Sequence, residues 1–522
     1  MSLTWISLLP PLVVISVVCF TQQLNISLAI GIMVAALIAA HGHPMAAVVL
    51  CGEKLSTHFF DSDNIYLYSL LIAISSLITL LTVTGSAAGC ARIIGKKMRT
   101  KRSVEISTIM LSFLLNIDDY LSILTVGFVM KPIADKIGVA RTKLAYIVHS
   151  LGGPLVIIMP LSTWAAAILA QFDSAGIHAH APHKIIAEPF YVYLKTIPFI
   201  FYSMFAVISV WFVVMARIQY GVIAQDEHNA IAHSTALEAE EEKELRNHSL
   251  SELLIPIFLL VVGVVVGILY AGNYYAFGGN NSFIDAFREN HKTFLVLFTS
   301  ATLAFITSLC ISLCKKMITL RALPMIIYEG VALMYSSIIM VALASILGSF
   351  LRMELHTGSY IASLLSGTTP LFLIPVMLFL ISLLITLMTG SAWGTFSLLI
   401  PITTQMLISF LQLNPPVMLD QIPILFPSLG AVLSGAACGN HISPIADTTI
   451  MTATSTGIEP LKHAKSQFYY VVPVIIATIL SFVLAGIFCG NGLTQGLFVP
   501  LGAGCAVMIA CFVILNYLKK GH

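Results

Sequence analysis

Charge is scarce in this sequence. Only 10% of the 522 residues are Asp, Glu, Lys or Arg, whereas 58% are hydrophobic, and the mean hydropathy is +0.95. A soluble globular chain carries about 25% charged residues, so most of this chain cannot face water. Apolar runs of about 20 residues, enough for a helix to cross a bilayer, recur along its length. Period-two alternation, typical of a transmembrane barrel, is absent, and the sequence therefore predicts an all-α integral membrane protein.

Several other features are missing, and each absence excludes a class of function. The net charge is only +2, and no basic stripe with interleaved aromatic residues suggests nucleic-acid binding. The nine cysteines lie mostly in apolar runs without CxxC spacing, so no metal or disulfide framework is expected. HExxH and GxSxG motifs are absent, which disfavours an enzyme, and no cofactor is expected. Residues 1–20 lack a charged leading region and are interpreted as a first membrane helix rather than a cleaved signal.

Basic residues predict which side of the membrane each loop faces, because cytoplasmic loops are rich in Lys and Arg. The densest patch consists of Arg92, Lys96, Lys97, Arg99, Lys101 and Arg102. Three spans, 4–20, 25–41 and 65–90, precede this patch, which places the N-terminus outside and the segment around Glu53 and Asp61 in an external connection. Lys519 and Lys520 place the C-terminus in the cytoplasm.

The first half of the chain, residues 1–216, contains two predicted helix breaks. The segment 104–130 has basic flanks and a polar centre, which favours a re-entrant hairpin of two half-helices over a single span. The segment 144–171 is predicted to be a broken crossing, since Gly152, Gly153 and Pro154 free backbone groups that the protein itself must satisfy.

The second half repeats this plan from the opposite side of the membrane. A charged cytoplasmic loop, 217–250, is followed by 251–489, which holds a predicted hairpin at 370–412 and a broken helix at 424–456. Residues 490–522 form a final span. The sequence thus predicts about 11 transmembrane helices plus two re-entrant hairpins in an inverted-topology repeat, the plan of many secondary transporters.

Ionisable residues at membrane depth cluster at these breaks. Placing one charged side chain at the centre of a bilayer costs roughly 2.5–3.5 kcal/mol even on a lenient insertion scale, so the presence of such residues predicts a function. They are Asp118, Asp119, His149, Glu329, His441 and Asp447. Glu329 is explained by snorkelling to the interface. The others indicate a secondary transporter of a small cation.

Asp118 and Asp119 lie between the two arms of the first hairpin. One of them is expected to cap the second arm, which leaves the other to bind a cation or a proton. Asp447 follows the broken helix of the second half, where Thr448 and Thr449 add oxygen ligands suited to hard cations. Asn440 and Ser443 either bind the cation or cap freed backbone groups, and His441 either carries a proton or packs. External His178, His180 and His183 resemble a metal-binding tract, although such loop histidines are usually incidental.

Three motifs resemble the NhaC family of sodium/proton antiporters, at the family's order and spacing over most of the chain. They are Asn116-Ile117-Asp118-Asp119-Tyr120, Thr389-Gly390-Ser391-Ala392-Trp393-Gly394-Thr395-Phe396, and Gly439-Asn440-His441-Ile442-Ser443-Pro444-Ile445-Ala446-Asp447-Thr448-Thr449-Ile450. The resemblance implies an ion-transporter-superfamily fold with a scaffold domain, a mobile transport domain, a homodimer and a location in the cell inner membrane. The expected cation and proton ligands are Asn116, Asp118, Asp119, Thr389, Ser391, Asn440, His441, Ser443, Asp447 and Thr448, with His149 and Ser150 in contact with a proton or substrate.

The sequence departs from the family pattern at two positions. His149 stands where relatives usually have an acidic residue, and Asn440 stands where they tend to have Asp, so cation binding or selectivity is expected to differ. The leading functional hypothesis is exchange of Na⁺, or another monovalent cation, for H⁺ by alternating access. The alternative is Na⁺-coupled symport of an amino acid or a related small organic solute.

Overall fold

The computed structural model describes residues 4–21, 23–86, 89, 99–178, 184–233, 251–290, 292–489 and 494–520. Several sequence predictions fall outside these residues: Arg92, Lys96 and Lys97 of the basic patch, residues 234–250 of the charged loop, and His180 and His183 of the histidine tract. Within the described residues the chain is mostly helical.

The described helices are numbered in chain order. They are α1 Leu9–Thr21, α2 Leu24–Ala39, α3 Pro44–Phe60, α4 Ser62–Val83, α5 Lys101–Leu115, α6 Asp119–Ile137, α7 Arg141–Ser150, α8 Gly153–Val156, α9 Thr163–Ser174, α10 Pro189–Thr196, α11 Phe201–Met215, α12 Gly221–His233, α13 Ser251–Ala271, α14 Phe283–Arg288, α15 Thr293–Cys314, α16 Leu323–Ser349, α17 Thr357–Leu365, α18 Ile374–Thr389, α19 Ala392–Phe410, α20 Leu425–Ile442, α21 Asp447–Thr456, α22 Pro460–Ile487 and α23 Val499–Lys520. Three two-residue strands, β1 Ile177–His178, β2 Ile185–Ile186 and β3 Val417–Met418, form a small parallel sheet in the order β1-β2-β3.

Long apolar helices dominate the described part of the chain. Eight are long and apolar enough to cross a membrane, or up to ten if each of two bent pairs counts as one span. Because each helix satisfies its backbone hydrogen bonds internally, this arrangement is suited to a bilayer. The chain is a multi-pass membrane protein.

Helix α3 lies where the sequence predicts an external connection. Glu53 and Lys54 make this segment too polar for a span, but Pro44 sits in its first turn, where the missing N–H costs nothing. The helix ends at Phe60, and the side chain of Asp61 accepts a hydrogen bond from the Asn64 N–H and caps α4. The axis turns by 120° between α2 and α3.

Four breaks interrupt the helices near the predicted positions. The first lies between α5 and α6, where Asp118 is the N-cap of α6, and the second lies between α7 and α8 at Gly152. The third lies between α18 and α19, where Gly390 adopts a φ of +70°, a conformation that favours glycine. The fourth separates α20, which ends at Ile442, from α21.

The outer ends of α5, α6 and α7 lie together at what we call the basic end, defined by Lys101, Arg141, Lys143 and Lys462. Glu227 of α12 links Lys101 and Lys143, at 3.3 and 4.0 Å. An Arg141 Nη1 donates to the Gly457 carbonyl after α21, at 3.2 Å. Segments from both halves of the chain therefore meet at this end.

The opposite end carries the small sheet, and α18 and α19 both have their outer ends there. Phe372, just before α18, packs its backbone directly against Gly486, at the far end of α22 from Lys462. The chain leaving α19 at Phe410 soon forms β3, which pairs with β2. The pair α5–α6 thus approaches the centre from the basic end, and the pair α18–α19 approaches it from the sheet end.

Helices α6 and α21, one from each half, touch without a gap. A Cβ at Gly127 would lie 2.0 Å from Ser455 Oγ and 2.5 Å from Ser455 Cβ. Small residues allow this close approach between membrane helices.

Candidate functional site

A cavity of about 460 Å³ lies where the breaks meet. One wall is formed by residues next to the breaks, namely Asp118, Asp119, Tyr120, Trp164, Gly390, Ser391, Ala392, Trp393, Asn440 and Asp447. The facing wall comes from the start of α2 and the middle of α16, namely Gln23, Leu24, Asn25, Ile26, Leu333, Met334, Ser336, Ser337 and Met340. Three carboxylates therefore line one space, and none of its described lining residues is Lys or Arg.

Asp118 is buried, with 1% of its surface exposed, and both carboxylate oxygens have partners. Its Oδ1 accepts from the Leu121 N–H at 3.1 Å, and its Oδ2 accepts from Thr163 Oγ1 at 2.9 Å. The first bond is the N-cap that the sequence predicts for one of the two aspartates. The Asp118 carboxylate is thus hydrogen-bonded to the start of α6 and to α9.

Asp119 is the aspartate left without a capping role. It is 4% exposed and occupies the first position of α6, where the helix dipole favours a negative charge. The Trp164 side chain faces it, and the indole N–H of Trp164 has no other hydrogen-bond partner among the described residues. Its carboxylate is available to a ligand in the cavity.

Asp447 brings the second half of the chain into the same site. It is the first residue of α21, its side chain is exposed to the cavity, and its Oδ1 accepts from the Thr448 N–H at 2.7 Å. The Tyr120 hydroxyl, next to Asp119, donates to Asp447 Oδ2. This bond joins the break of one half directly to the break of the other.

Asn440 ties the third and fourth breaks together. Its Nδ2 donates to the Gly390 carbonyl at 3.3 Å, and its Oδ1 accepts from Thr448 Oγ1 at 2.7 Å. Ser391 is the N-cap of α19 and accepts from the Gly394 N–H at 3.2 Å. Both residues line the cavity while they also hold the backbone around it.

Three other predicted residues lie beside the cavity rather than on its lining. Asn116 Nδ2 donates to the Leu151 carbonyl at the second break, at 2.6 Å, while its buried Oδ1 has no partner among the described residues. Ser443 Oγ donates to the Leu387 carbonyl at 3.0 Å. Thr389 Oγ1 accepts from the Ser391 N–H at 3.3 Å. All three satisfy backbone groups that the breaks leave free.

His149, His441 and a third histidine, His463 of α22, form a buried group behind Thr448, which we call the histidine cluster. The ring centroids of His149 and His441 are 4.6 Å apart, and those of His149 and His463 are 4.9 Å apart. His149 Nε2 lies 3.2 Å from Thr448 Oγ1. The Ser150 hydroxyl lies 3.2 Å from His441 Nε2.

Sequence reasoning missed several residues of this region. Tyr120, Thr163 and Trp164 contact the aspartates, yet of these three only Tyr120 belongs to one of the three motifs of the sequence. His463 was missed because Lys462 and Lys465 placed it in a cytoplasmic loop, whereas α22 already begins at Pro460. No group of three or more potential ligands in the described residues is arranged to hold a metal ion.

The cavity offers side-chain types that are suited to binding a small cation. Carboxylate, amide and hydroxyl oxygens converge on one space, and hard cations prefer such oxygen ligands. These oxygens come from breaks in both halves of the chain, so the site depends on the contact between the two halves.

Comparisons with known proteins agree with this description. A sequence profile of the Na⁺/H⁺ antiporter family matches residues 156–487, which is more than half of the chain. An uncharacterized protein of Haemophilus influenzae is 28% identical over 98% of this chain and 95% of its own length. A Malate-2H(+)/Na(+)-lactate antiporter of Bacillus subtilis is 31% identical over 62 residues, which cover 12% of this chain and 13% of that protein.

A solved transporter shares the fold. The YdaH transporter of Alcanivorax borkumensis superposes with a TM-score of 0.54 at 12% sequence identity, covering 88% of this chain and 91% of that one. With the family match and the membrane helices, these findings make the protein a secondary transporter. The chain belongs to the Na⁺/H⁺ antiporter family.

Proposed function

We propose that this protein exchanges Na⁺, or another monovalent cation, for H⁺ by alternating access. The observation that carries the proposal is the meeting of Asp118, Asp119 and Asp447 at one cavity without a basic residue among its described lining. A site with three carboxylates binds either cations or protons. Competition between the two for Asp119 and Asp447 is sufficient to couple their fluxes, because each release allows the other to bind.

The membrane arrangement that we propose follows from the two ends of the molecule. The basic end is cytoplasmic, so α5–α6 and α18–α19 are re-entrant hairpins that enter from opposite sides as parts of an inverted repeat. The N-terminus is external, the C-terminus is cytoplasmic, and the protein resides in the inner membrane as a homodimer. The cavity wall formed by the breaks belongs to the moving transport domain, and the wall formed by α2 and α16 belongs to the scaffold.

Proteoliposomes loaded with a pH-sensitive dye test the exchange. We expect a pulse of Na⁺ or Li⁺, with no other solute present, to drive proton movement that Asp119→Asn or Asp447→Asn reduces at least tenfold. Asp420→Asn, which changes an exposed carboxylate away from the cavity, is the matched control and should leave the flux unchanged. A silent dye with the unmodified protein would exclude cation/proton exchange.

The size of the cavity favours a second candidate, Na⁺-coupled transport of a small organic solute. Sites for small molecules enclose about 300–1,000 Å³, and 460 Å³ far exceeds the space that one ion needs. Trp164, Trp393 and Tyr120 give the cavity aromatic faces, and Gln23 and Asn25 add amide groups on the facing wall. The Bacillus relative, by its name, exchanges organic acids together with H⁺ and Na⁺.

Labelled solutes separate the two candidates. If labelled amino acid, malate or lactate enters the proteoliposomes only with a Na⁺ gradient, and Na⁺ alone moves no protons, the organic solute is the cargo. Proton movement driven by Na⁺ alone, with no solute uptake, leaves exchange of Na⁺ for H⁺ as the function.

A further inference from the structure

The cavity at the helix breaks carries charge of one sign. Asp118, Asp119 and Asp447 line it, and none of its described lining residues is Lys or Arg. Both oxygens of Asp118 are hydrogen-bonded within the protein, so Asp119 and Asp447 are the carboxylates that can meet a cargo. A cargo with a carboxylate of its own would be repelled by both of them. The charge therefore favours an organic cation over an organic acid.

The volume of the cavity is that of a site for a molecule with a body. It measures about 460 Å³, and sites for small organic molecules enclose about 300–1,000 Å³. In the part of the chain that the structure describes, no three His, Cys, Asp or Glu side chains are grouped so as to hold one metal ion. The carboxylates thus leave space between themselves and the facing wall.

The facing wall offers apolar surface to that space. Leu24, Leu333, Met334 and Met340 belong to this wall, and methionine side chains adapt to ligands of different shapes. Apolar side chains supply no ligand to a bare ion, which prefers oxygen. A hydrocarbon group, in contrast, is stabilised when such a wall removes it from water.

Two tryptophans lie on the same side of the cavity as the carboxylates. The ring centroids of Trp164 and Trp393 are 6.2 Å apart, with an angle of 76° between the ring planes, and both residues line the cavity. The Trp164 side chain faces Asp119. The face of an indole ring attracts an ammonium group more strongly than other aromatic rings do, so carboxylates and aromatic rings favour the same chemical group here.

We propose that the cavity binds a small primary amine in its ammonium form, as a cargo that competes with Na⁺ and H⁺. The ammonium group donates hydrogen bonds to Asp119 and Asp447 and lies against the ring of Trp393. The hydrocarbon part of the amine extends across the cavity to Met334 and Met340. The inference rests on the proposed function for the exchange of this cargo with H⁺ across the membrane, whereas its binding is measurable without transport.

Calorimetric titration of the purified full-length protein in detergent tests the charge of the cargo. The probe is 2-phenylethylamine at neutral pH without Na⁺, where the amine is protonated as a lysine side chain is. We expect 2-phenylethanol and 3-phenylpropionate, which carry the same ring on a neutral or a negative group, to bind at least about tenfold more weakly, since neither forms charge-assisted hydrogen bonds with the carboxylates. Na⁺ should raise the apparent Kd of the amine, because the two cations share Asp119 and Asp447.

Three results of this titration would overturn the proposal. The first is binding of the alcohol as tight as that of the amine, which would mean that the site does not recognise the positive charge. The second is tighter binding of the propionate. The third is an apparent Kd of the amine that does not change with Na⁺, which would place the amine outside the cation site.

Variants test the two parts of the amine separately. We expect Asp447→Asn to weaken amine binding about tenfold or more through the lost charge-assisted hydrogen bond. Trp393→Ala should weaken amine binding about tenfold more than Na⁺ binding, because the amine uses the face of the ring, and Trp393→Phe should restore most of the difference. Trp5→Ala, at an exposed tryptophan outside the cavity lining, is the matched control and should leave both affinities unchanged. Equal losses of amine and Na⁺ affinity in Trp393→Ala would contradict the proposal.

The amine site and the exchange of Na⁺ for H⁺ can fail independently. If Na⁺ drives proton movement in proteoliposomes but the amine does not bind, the exchange stands and the amine site is excluded. If Na⁺ drives no proton movement but the amine binds and Asp447→Asn weakens it, the exchange of Na⁺ fails and the amine site stands.

Discussion

At the scale of single residues, the hydroxyl of Tyr120 makes a direct contact between the two halves of the site. It donates to Asp447 Oδ2, and a hydrogen bond to a charged group is worth about 1.5–3 kcal/mol. We expect Tyr120→Phe to weaken Na⁺ binding about tenfold, because the Asp447 carboxylate loses the group that orients it. The measurement is the KM for Na⁺ in proteoliposomes at pH 8. Tyr517→Phe, at an exposed ring, should leave KM unchanged, and an unaltered KM in Tyr120→Phe would remove Tyr120 from the site.

Glu188 gives a pH-dependent contribution to stability outside the membrane spans. It caps α10, accepting from the Tyr191 N–H at 2.8 Å, and its Oε1 accepts from Thr293 Oγ1. Burial raises the pKa of Glu188 from 4.5 to about 7. The folded state therefore binds more protons than the unfolded state between pH 4.5 and 7, so stability falls as the pH rises through this window.

The shift corresponds to roughly 3 kcal/mol, at about 1.4 kcal/mol for each pKa unit. We expect the Tm of the unmodified protein to decrease from pH 5 to pH 7 more steeply than that of Glu188→Gln, which has no charge to bury. Thermal unfolding in detergent at the two pH values measures this difference. Parallel Tm profiles would show that Glu188 titrates normally.

The three aspartates that line the cavity could be identified from the sequence. A carboxylate inside an apolar run is expensive, so Asp118, Asp119 and Asp447 stand out without a structure, and one of the first two was expected to be an N-cap. Tyr120 and Trp164 could not be assigned, since aromatic residues are common in membrane helices and only the fold brings them to the aspartates.

At the scale of secondary structure elements, a buried ion cluster fastens α7 to α5 and α12. Lys143 Nζ lies 2.6 Å from Glu105 Oε1, and the two side chains are 4% and 6% exposed. Removing the lysine leaves Glu105 and Glu227 buried without their shared partner, and breaking a buried pair in this way costs about 3–5 kcal/mol.

We therefore expect Lys143→Met to lower the Tm markedly, while Lys101→Met has a small effect. Lys101 also contacts Glu227, but 35% of its side chain is exposed, and exposed pairs contribute about 0–1 kcal/mol. Thermal unfolding of the two variants side by side is the measurement. Equal decreases in Tm for the two variants would show that burial does not determine how strongly these ion pairs stabilise the protein.

Helix breaks were predictable because Gly, Pro and Asp interrupt a helix for local reasons. Gly152 and Gly390 mark two of the breaks at the predicted positions. Helix α3 was not predicted as a helix, because the predicted spans were found from the length of apolar runs and Glu53 and Lys54 interrupt the apolar residues of α3. The start of α22 at Pro460 was also missed, because the charges of Lys462 and Lys465 are typical of a cytoplasmic loop.

At the scale of the whole molecule, the proposed orientation makes a prediction about access. In a variant without native cysteines, we expect Lys462→Cys at the basic end to react with a membrane-impermeant thiol reagent only in inside-out vesicles. Lys54→Cys, whose native side chain pairs with Glu354 at 3.1 Å, should react only in intact cells or right-side-out vesicles. If each cysteine reacts from the side opposite to the one expected, the protein has the inverted topology. If both react from the same side, the two positions do not lie on opposite sides of the membrane.

The arrangement of the two halves could not be derived from the sequence. Contacts such as Tyr120 with Asp447 join residues more than three hundred positions apart, and hydropathy describes each span without saying which spans touch. The prediction that both hairpins and both broken helices contribute to one site came from the repeat and from the family resemblance, not from any pairing visible in the residues.

The contact between Gly127 and Ser455 limits how this transporter can work. Helices that touch backbone to side chain, with no space for even a methyl group, cannot slide past each other without first separating. In the alternating-access cycle that we propose, we therefore expect the Asp119 side and the Asp447 side of the site to move together. The movement that we propose then lies between the helix breaks and the facing wall, in which a hydrogen bond of 3.1 Å from Asn25 Nδ2 to Ser336 Oγ joins α2 to α16. In this proposal ion selectivity and the rate of the cycle depend on opposite sides of the same cavity, so we expect mutations to alter one without altering the other.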